Sequence, residues 1–132
     1  MASIFTKIIN REIPGQIVAE DDNFIAFLDI MPLVEGHVLV VPKQEIDYLF
    51  DIEDETYTGL MQFAKKVAKS LKKAIPCKRI GVAVIGLEVP HTHVHLVPLQ
   101  TMDDINFTRA KLKPSQEDLA ATGDKIRKEI SF

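Results

Sequence analysis

His91, His93 and His95 stand at alternate positions in the stretch "PHTHVHLVP", and they are three of the chain's four histidines. Imidazole is the side chain whose ordinary pKa lies nearest neutral pH, so it can serve as nucleophile, proton carrier, hydrogen-bond donor or metal ligand. On a β-strand, residues on one face recur about 6.6 Å apart. The three imidazoles therefore share a face, while Thr92, Val94 and Leu96 turn toward the other and the core. A strand is a rigid support, which suits groups that must be held in place to react.

Three readings fit such a row. It can bind a metal, because His-x-His on a strand is a zinc geometry that needs a third ligand; His37, the fourth histidine, is the candidate. No cysteine pair and no His-Glu motif accompanies it. It can be catalytic: a neutral imidazole whose one nitrogen donates a hydrogen bond keeps a lone pair on the other, and its neighbours can donate to the oxygens of an electrophile that gains charge. Phosphorus suits such a row best. The third reading is three histidines satisfied by ordinary hydrogen bonds.

The elements around the row follow from pattern. The 132 residues suffice for one domain, 1–132, and the formal charge of −3 with a pI near 5.8 argues against a nucleic-acid-binding face. No apolar run reaches bilayer-spanning length and no charged leader precedes one, so no membrane association and a cytoplasmic location are expected. The single cysteine, Cys77, excludes an intrachain disulfide and fits a reducing compartment. Residues 16–20, 24–30 and 37–41 read as strands joined by the turns at Asp21-Asp22-Asn23 and around Pro32 and Gly36. From Glu53 to Ala74 the period becomes helical, with Leu60, Ala64, Val67, Leu71 and Ala74 on one face. Lys65, Lys66, Lys69, Lys72 and Lys73 fall mostly off that stripe, as a solvated helix face would.

"KRIGVAVIG" and "HTHVHLVPL" are two further strands, the first so uniformly apolar that it is expected in the middle of the sheet. Ser115 and Asp118 have a capping-box spacing before a second main helix carrying Leu119, Gly123, Ile126 and Ile130. The expected class is α+β, an antiparallel sheet of about five strands with two main helices.

"HTHVHLVP" resembles the signature of the histidine triad (HIT) superfamily. The resemblance extends through "IF-x-KII", "EIP", "AF-x-D-I-x-P" and "GH-x-LV-x-PK", in order, from Ser3 to Leu99, with residues 100–132 as an extension. It implies a HIT-like fold, a homodimer whose two sheets join into ten strands, and a purine nucleotide pocket in each subunit. It also implies cleavage of a nucleoside 5'-phosphoramidate or phosphoanhydride at the α-phosphorus, with no cofactor. Carried to this chain, His93 becomes the nucleophile, His91 and His95 its orienting and phosphate-binding neighbours, and His37 the completion of the cluster. Asp29 matches the carboxylate that accepts the ribose hydroxyls. Phe5, Ile8, Phe27, Ile30 and Leu39 match the walls around the base, and Gly86 and Val89 are kept in the loop before the triad.

Two departures bear on chemistry. Many members read "G-Q-[ST]-V-x-H" before the triad, where this chain reads "GLEVPH", with Leu87 for the amide and Glu88 for the hydroxyl. A carboxylate beside a phosphate repels it unless protonated or turned away, so Glu88 is either an acid for the leaving group or the mark of a different substrate. Some bacterial members bind structural zinc through "C-x-x-C" and two histidines. Ser3 and Thr6 stand at those cysteine positions, and no zinc site is expected. Two alternatives remain open: a nucleotide-binding regulatory protein with little catalysis, and a metal-dependent hydrolase using the histidine row.

Overall fold

Asp21 explains the first turn of the sheet. Its Oδ1 accepts from the backbone N–H groups of Asn23 and Phe24, both at 2.8 Å, which reverses the chain between β1 (Ile17–Glu20) and β2 (Phe24–Leu28). The second reversal needs Gly36. Its φ of +88° is costly for a side chain, and a Cβ there would lie 2.8 Å from Cγ1 of Ile75. It delivers the chain to β3 (Val38–Pro42). These statements come from a computed structural model, which describes residues 2–132.

Two more strands, β4 (Arg79–Ala83) and β5 (Val94–Leu99), complete a five-stranded antiparallel sheet in the order β1-β2-β3-β5-β4. Strand β5 enters between β3 and β4, pairing Leu39 with His95 and Ala83 with His95 from opposite sides. The triad is thus carried to an interior position of the sheet, with the strand proper starting at Val94 and His91 and His93 on the approach to it.

Two layers cover the sheet. On one face lie Phe24, Ala26, Leu28, Val38, Val40, Val94 and Leu96, packed with the helices α2 (Asp54–Ala74) and α3 (Gln116–Glu129). In α2, Asp54 and Glu55 occupy the first turn and Lys72 and Lys73 the last, in accord with the helix dipole; all five lysines of the cluster face solvent. Leu60, Phe63, Ala64, Val67 and Leu71 form its buried face. Ser115 and Asp118 close both halves of the capping box at the start of α3.

The opposite face carries Ile25, Phe27, Leu39 and Val41, and against it packs a third helix, α1 (Ile4–Ile9), through Phe5 and Ile8. Six residues are too few for a periodic signal, so α1 is invisible to pattern reading. Its evidence is local: Ser3 caps it, accepting from Thr6 N–H at 3.0 Å.

The expectation of a central "KRIGVAVIG" strand is corrected, since β4 is an edge strand. Strands β2 and β3 are buried at every position, whereas Val82 of β4 is 53% exposed. A continuous apolar run reports that something covers both faces of a strand. It does not say that the cover belongs to the same chain. No helix among the described residues is long and apolar enough to cross a membrane.

Candidate active site

All four histidines meet on the α1 face of the sheet, and each is buried. His93 and His95 have ring centroids 4.9 Å apart, and His37 lies 5.2 Å from His95. The Phe5 ring packs at steep angles against both His91, with centroids 5.8 Å apart, and His93, at 4.9 Å. Thr92 points away and donates to the carbonyls of Ile46 and Asp47, at 2.8 and 3.1 Å, so the alternation of faces persists ahead of the strand.

Hydrogen-bond partners assign the tautomer of every imidazole, because a carbonyl can only accept and an amide N–H can only donate. The N–H of Leu33 donates to His37 Nδ1 at 3.0 Å, which leaves the proton of neutral His37 on Nε2. That Nε2–H donates to His95 Nδ1 at 2.9 Å, and so the proton of His95 sits on its own Nε2, directed out of the pair. His91 donates from Nε2 to the Pro42 carbonyl at 2.8 Å and accepts at Nδ1 from Ser3 Oγ, also at 2.8 Å. His93 donates from Nδ1 to the carbonyl of His91 at 2.7 Å, and its Nε2 keeps the lone pair.

The protonation states agree with this pattern. Burial pushes His37 down to about 4 and His95 down to about 3, aided by neighbouring positive charge, so both are neutral at physiological pH. His91 is lowered by burial, against the opposing pull of the Pro42 carbonyl and the Glu45 carboxylate. Burial raises the carboxyl of Asp29, whose Oδ1 accepts from Met31 N–H at 2.9 Å and whose Oδ2 lies 3.8 Å from His37 Nε2.

The other expected residues divide into walls and rim. Phe5, Ile8, Phe27 and Leu39 form one apolar cluster on the imidazole side of the sheet, with Val89 packed against it. Ile30 stands 58% exposed beyond Asp29. Gly86 has a φ of +75° with open space where a Cβ would be, so it is the backbone turn that favours glycine there. Leu87 is 88% exposed and Glu88 is exposed, and the loop returns to the triad through His91 N–H donating to Val89 O at 2.8 Å.

Several neighbours carry no readable signal in the sequence. Glu45 binds the start of α1, accepting from Ser3 N–H and Thr6 Oγ1 at 2.6 Å each; these bonds, Thr6 first, hold its carboxyl down at about 2. Phe107 packs its ring 4.7 Å from His95 and 6.2 Å from His37. Ser3 is legible only as a hydroxyl in a cysteine's place, and in the fold it is the donor that satisfies His91.

Asp29, His37 and His95 place one ligand atom each within 4.8 Å of one another. The facing nitrogens of the two histidines are nevertheless bonded to each other at 2.9 Å, and both nitrogens of His91 are already committed. A metal held by either set would have to break these bonds.

The comparisons with known proteins agree with this geometry. The HIT domain family matches residues 10–102. An HIT-like protein of Borreliella burgdorferi is 38% identical over 113 residues, which span 80% of this chain and 81% of that one. The adenosine 5'-monophosphoramidase HNT1 of Saccharomyces cerevisiae is 42% identical over 98 residues, 74% of this chain and 62% of the yeast protein. Among solved structures, a Hit-like protein involved in cell-cycle regulation from Bartonella henselae superposes with a TM-score of 0.83 at 35% identity, covering 96% of this chain and 95% of the other. The chain therefore belongs to the HIT, or histidine triad, family.

Proposed function

We propose that the protein cleaves a purine nucleoside 5'-phosphoramidate or phosphoanhydride at the α-phosphorus through a nucleotidyl-His93 intermediate. The observation that carries this reading is the tautomer of His93: its Nδ1–H is held by the His91 carbonyl, so Nε2 presents its lone pair. His95 offers an Nε2–H next to it, suited to an oxygen of the phosphorus centre as charge builds there. Attack by His93 Nε2 forms the P–N bond as the bond to the leaving group breaks; the leaving group departs with the electron pair, and an amine also takes up a proton from solvent. Water then cleaves the nucleotidyl-histidine, releasing the nucleoside monophosphate and restoring the imidazole. The yeast relative's name, adenosine 5'-monophosphoramidase, supports the same substrate class.

Asp29 accepts the ribose hydroxyls in this reading, and Phe5, Ile8, Phe27, Leu39 and Ile30 flank the base. His91 orients His93 through its backbone, and His37 holds the tautomer of His95. The whole chain, 1–132, acts as one domain, without a cofactor. Two copies pair through β4, whose open edge carries exposed Val82, with Ile85 and Leu87 just beyond it. Light scattering giving a monomer at micromolar concentration would remove the dimer.

The deciding experiment is incubation with adenosine 5'-phosphoramidate. Expected are release of AMP and, after rapid quenching, a protein mass increased by one adenylate; His93→Ala abolishes both, with a loss of about a thousandfold or more in turnover. Absence of turnover and of adduct in the unsubstituted protein overturns the hydrolase reading. A second reading, nucleotide binding with little catalysis, is favoured by one feature: the loop before the triad presents Leu87 and Glu88 in place of an amide and a hydroxyl. Binding of AMP that depends on Asp29, without hydrolysis, would select it.

A further inference from the structure

Residues 103–114 lie outside the part of the chain that the family matches, yet they cross the site. Two contacts pin its later half to the connection between β2 and β3. Arg109 donates to the Leu33 carbonyl and pairs with Asp103 at 3.0 Å, while Leu112 N–H donates to Pro32 O at 2.9 Å. Ahead of both anchors Phe107 covers the His37–His95 pair, and between them Lys111 folds back, its Nζ donating to the Phe107 carbonyl at 3.3 Å.

Lys111 differs from Arg109 in having no carboxylate within 4.0 Å among the described residues, whereas Arg109 is committed to Asp103 and Asp104. Of its three N–H donors, one serves Phe107 and two are uncommitted. It is half-buried, and its charge is felt across the site. After burial, Lys111 is the largest influence depressing His37; it also contributes to the depression of His95 and pulls down the burial-raised carboxyl of Asp29.

The charge balance gives that placement a purpose. Burial holds His37 and His95 neutral, Asp29 and Glu88 bring acidic side chains, and a nucleotide brings one or two further negative charges. Ahead of His91, whose two nitrogens are already bonded, the loop "GLEVPH" has no neutral polar side chain to receive them. We propose that Lys111 is a phosphate-binding residue, donating to the non-bridging oxygens of the bound nucleotide and replacing the polar contacts absent from that loop. Lysine suits the task as a compact cation with rotatable donors. The strap 103–114 is then part of the active site. This rests on the nucleotide reading and adds the group that neutralises the phosphate.

The test compares AMP with adenosine, which differ by the phosphate alone, in titration calorimetry of the full chain. Charge-assisted bonds of this kind correspond to about 10–100-fold in affinity. Lys111→Met is expected to weaken AMP binding by about that factor, to leave adenosine within twofold, and to flatten the salt dependence of AMP binding. Lys111→Arg should restore much of the loss. AMP affinity unchanged in Lys111→Met overturns the inference. So does parallel loss of AMP and adenosine, which would make Lys111 a tether for the strap. Failure of the unsubstituted protein to bind either ligand overturns the nucleotide reading itself and this inference with it.

Discussion

The ring of His93 is locked by the backbone of His91: Nδ1 donates to the His91 carbonyl at 2.7 Å, two residues back along the same chain. The bond is local, so any backbone shift at His91 rotates His93. His91 is in turn held by Ser3 of α1 and by the carbonyl of Pro42 at the end of β3. The orientation of one imidazole thus depends on contacts from three separate parts of the fold.

Ser3→Ala removes the donor to His91 Nδ1 and leaves a buried acceptor whose nearest other hydroxyl, Thr6 Oγ1 at 3.4 Å, must give up its bond to Glu45 to replace it. A cost of about 1–3 kcal/mol in urea unfolding is expected, larger in Ser3→Ala/Thr6→Val than in either single variant. Equal stability of the double variant and the unsubstituted protein would show that the network does not hold α1 to the sheet.

Stability should fall as pH drops through 6.5. His37 and His95 titrate near 6.5 when unfolded but near 4 and 3 when folded, so below 6.5 the unfolded chain binds protons that the folded chain does not. The contribution is fully present above 6.5 and lost progressively toward the folded values. Glu45, lowered from 4.5 to about 2, acts in a separate and more acidic window. Thermal unfolding from pH 7.5 to 5 should therefore show a steady fall in Tm, reduced in His95→Asn. A flat Tm over that interval would contradict the buried, neutral assignment.

Asp29→Asn should weaken AMP binding by about 10-fold or more through loss of charge-assisted bonds to the ribose hydroxyls. Binding of 2',3'-dideoxyadenosine monophosphate should change little. If both ligands lose affinity equally, Asp29 acts through the turn it caps at Met31 and not through the sugar.

Glu88→Gln removes a charge from the mouth of the site. An exposed charge is worth about 1 kcal/mol or less, so a shift of about three- to fivefold in relative kcat/KM is expected, in favour of anionic phosphoanhydride leaving groups over a neutral amine. The ratio measured with ADP and adenosine 5'-phosphoramidate checks it. An unchanged ratio would mean that Glu88 takes no part in selecting the leaving group.

Much of this protein is set by short-range pattern. The alternation of Ile25 and Phe27 with Phe24, Ala26 and Leu28 separates two faces of β2, and the spacing of Leu60, Ala64, Val67 and Leu71 makes a helix with one buried side. Both follow from periods of two and 3.6 residues, which any stretch of chain displays without reference to the rest. His91, His93 and His95 share a face for the same reason. The position of β4 at the sheet edge, by contrast, could not be read from its apolar run, because hydrophobicity records burial and not the identity of the neighbour.

What the tertiary structure alone decided is how the imidazoles are protonated and what surrounds them. The lone pair of His93 Nε2 follows from a backbone carbonyl, and the proton of His95 follows from Leu33 N–H acting through His37. Phe107 and Lys111 reach the site from a segment with no periodic signal, across a long separation in the chain. Sequence determines which groups are available and on which face of an element they stand. Hydrogen-bond partners and fixed charges are long-range contacts, and they exist only once the strands, α1 and the strap have been brought together.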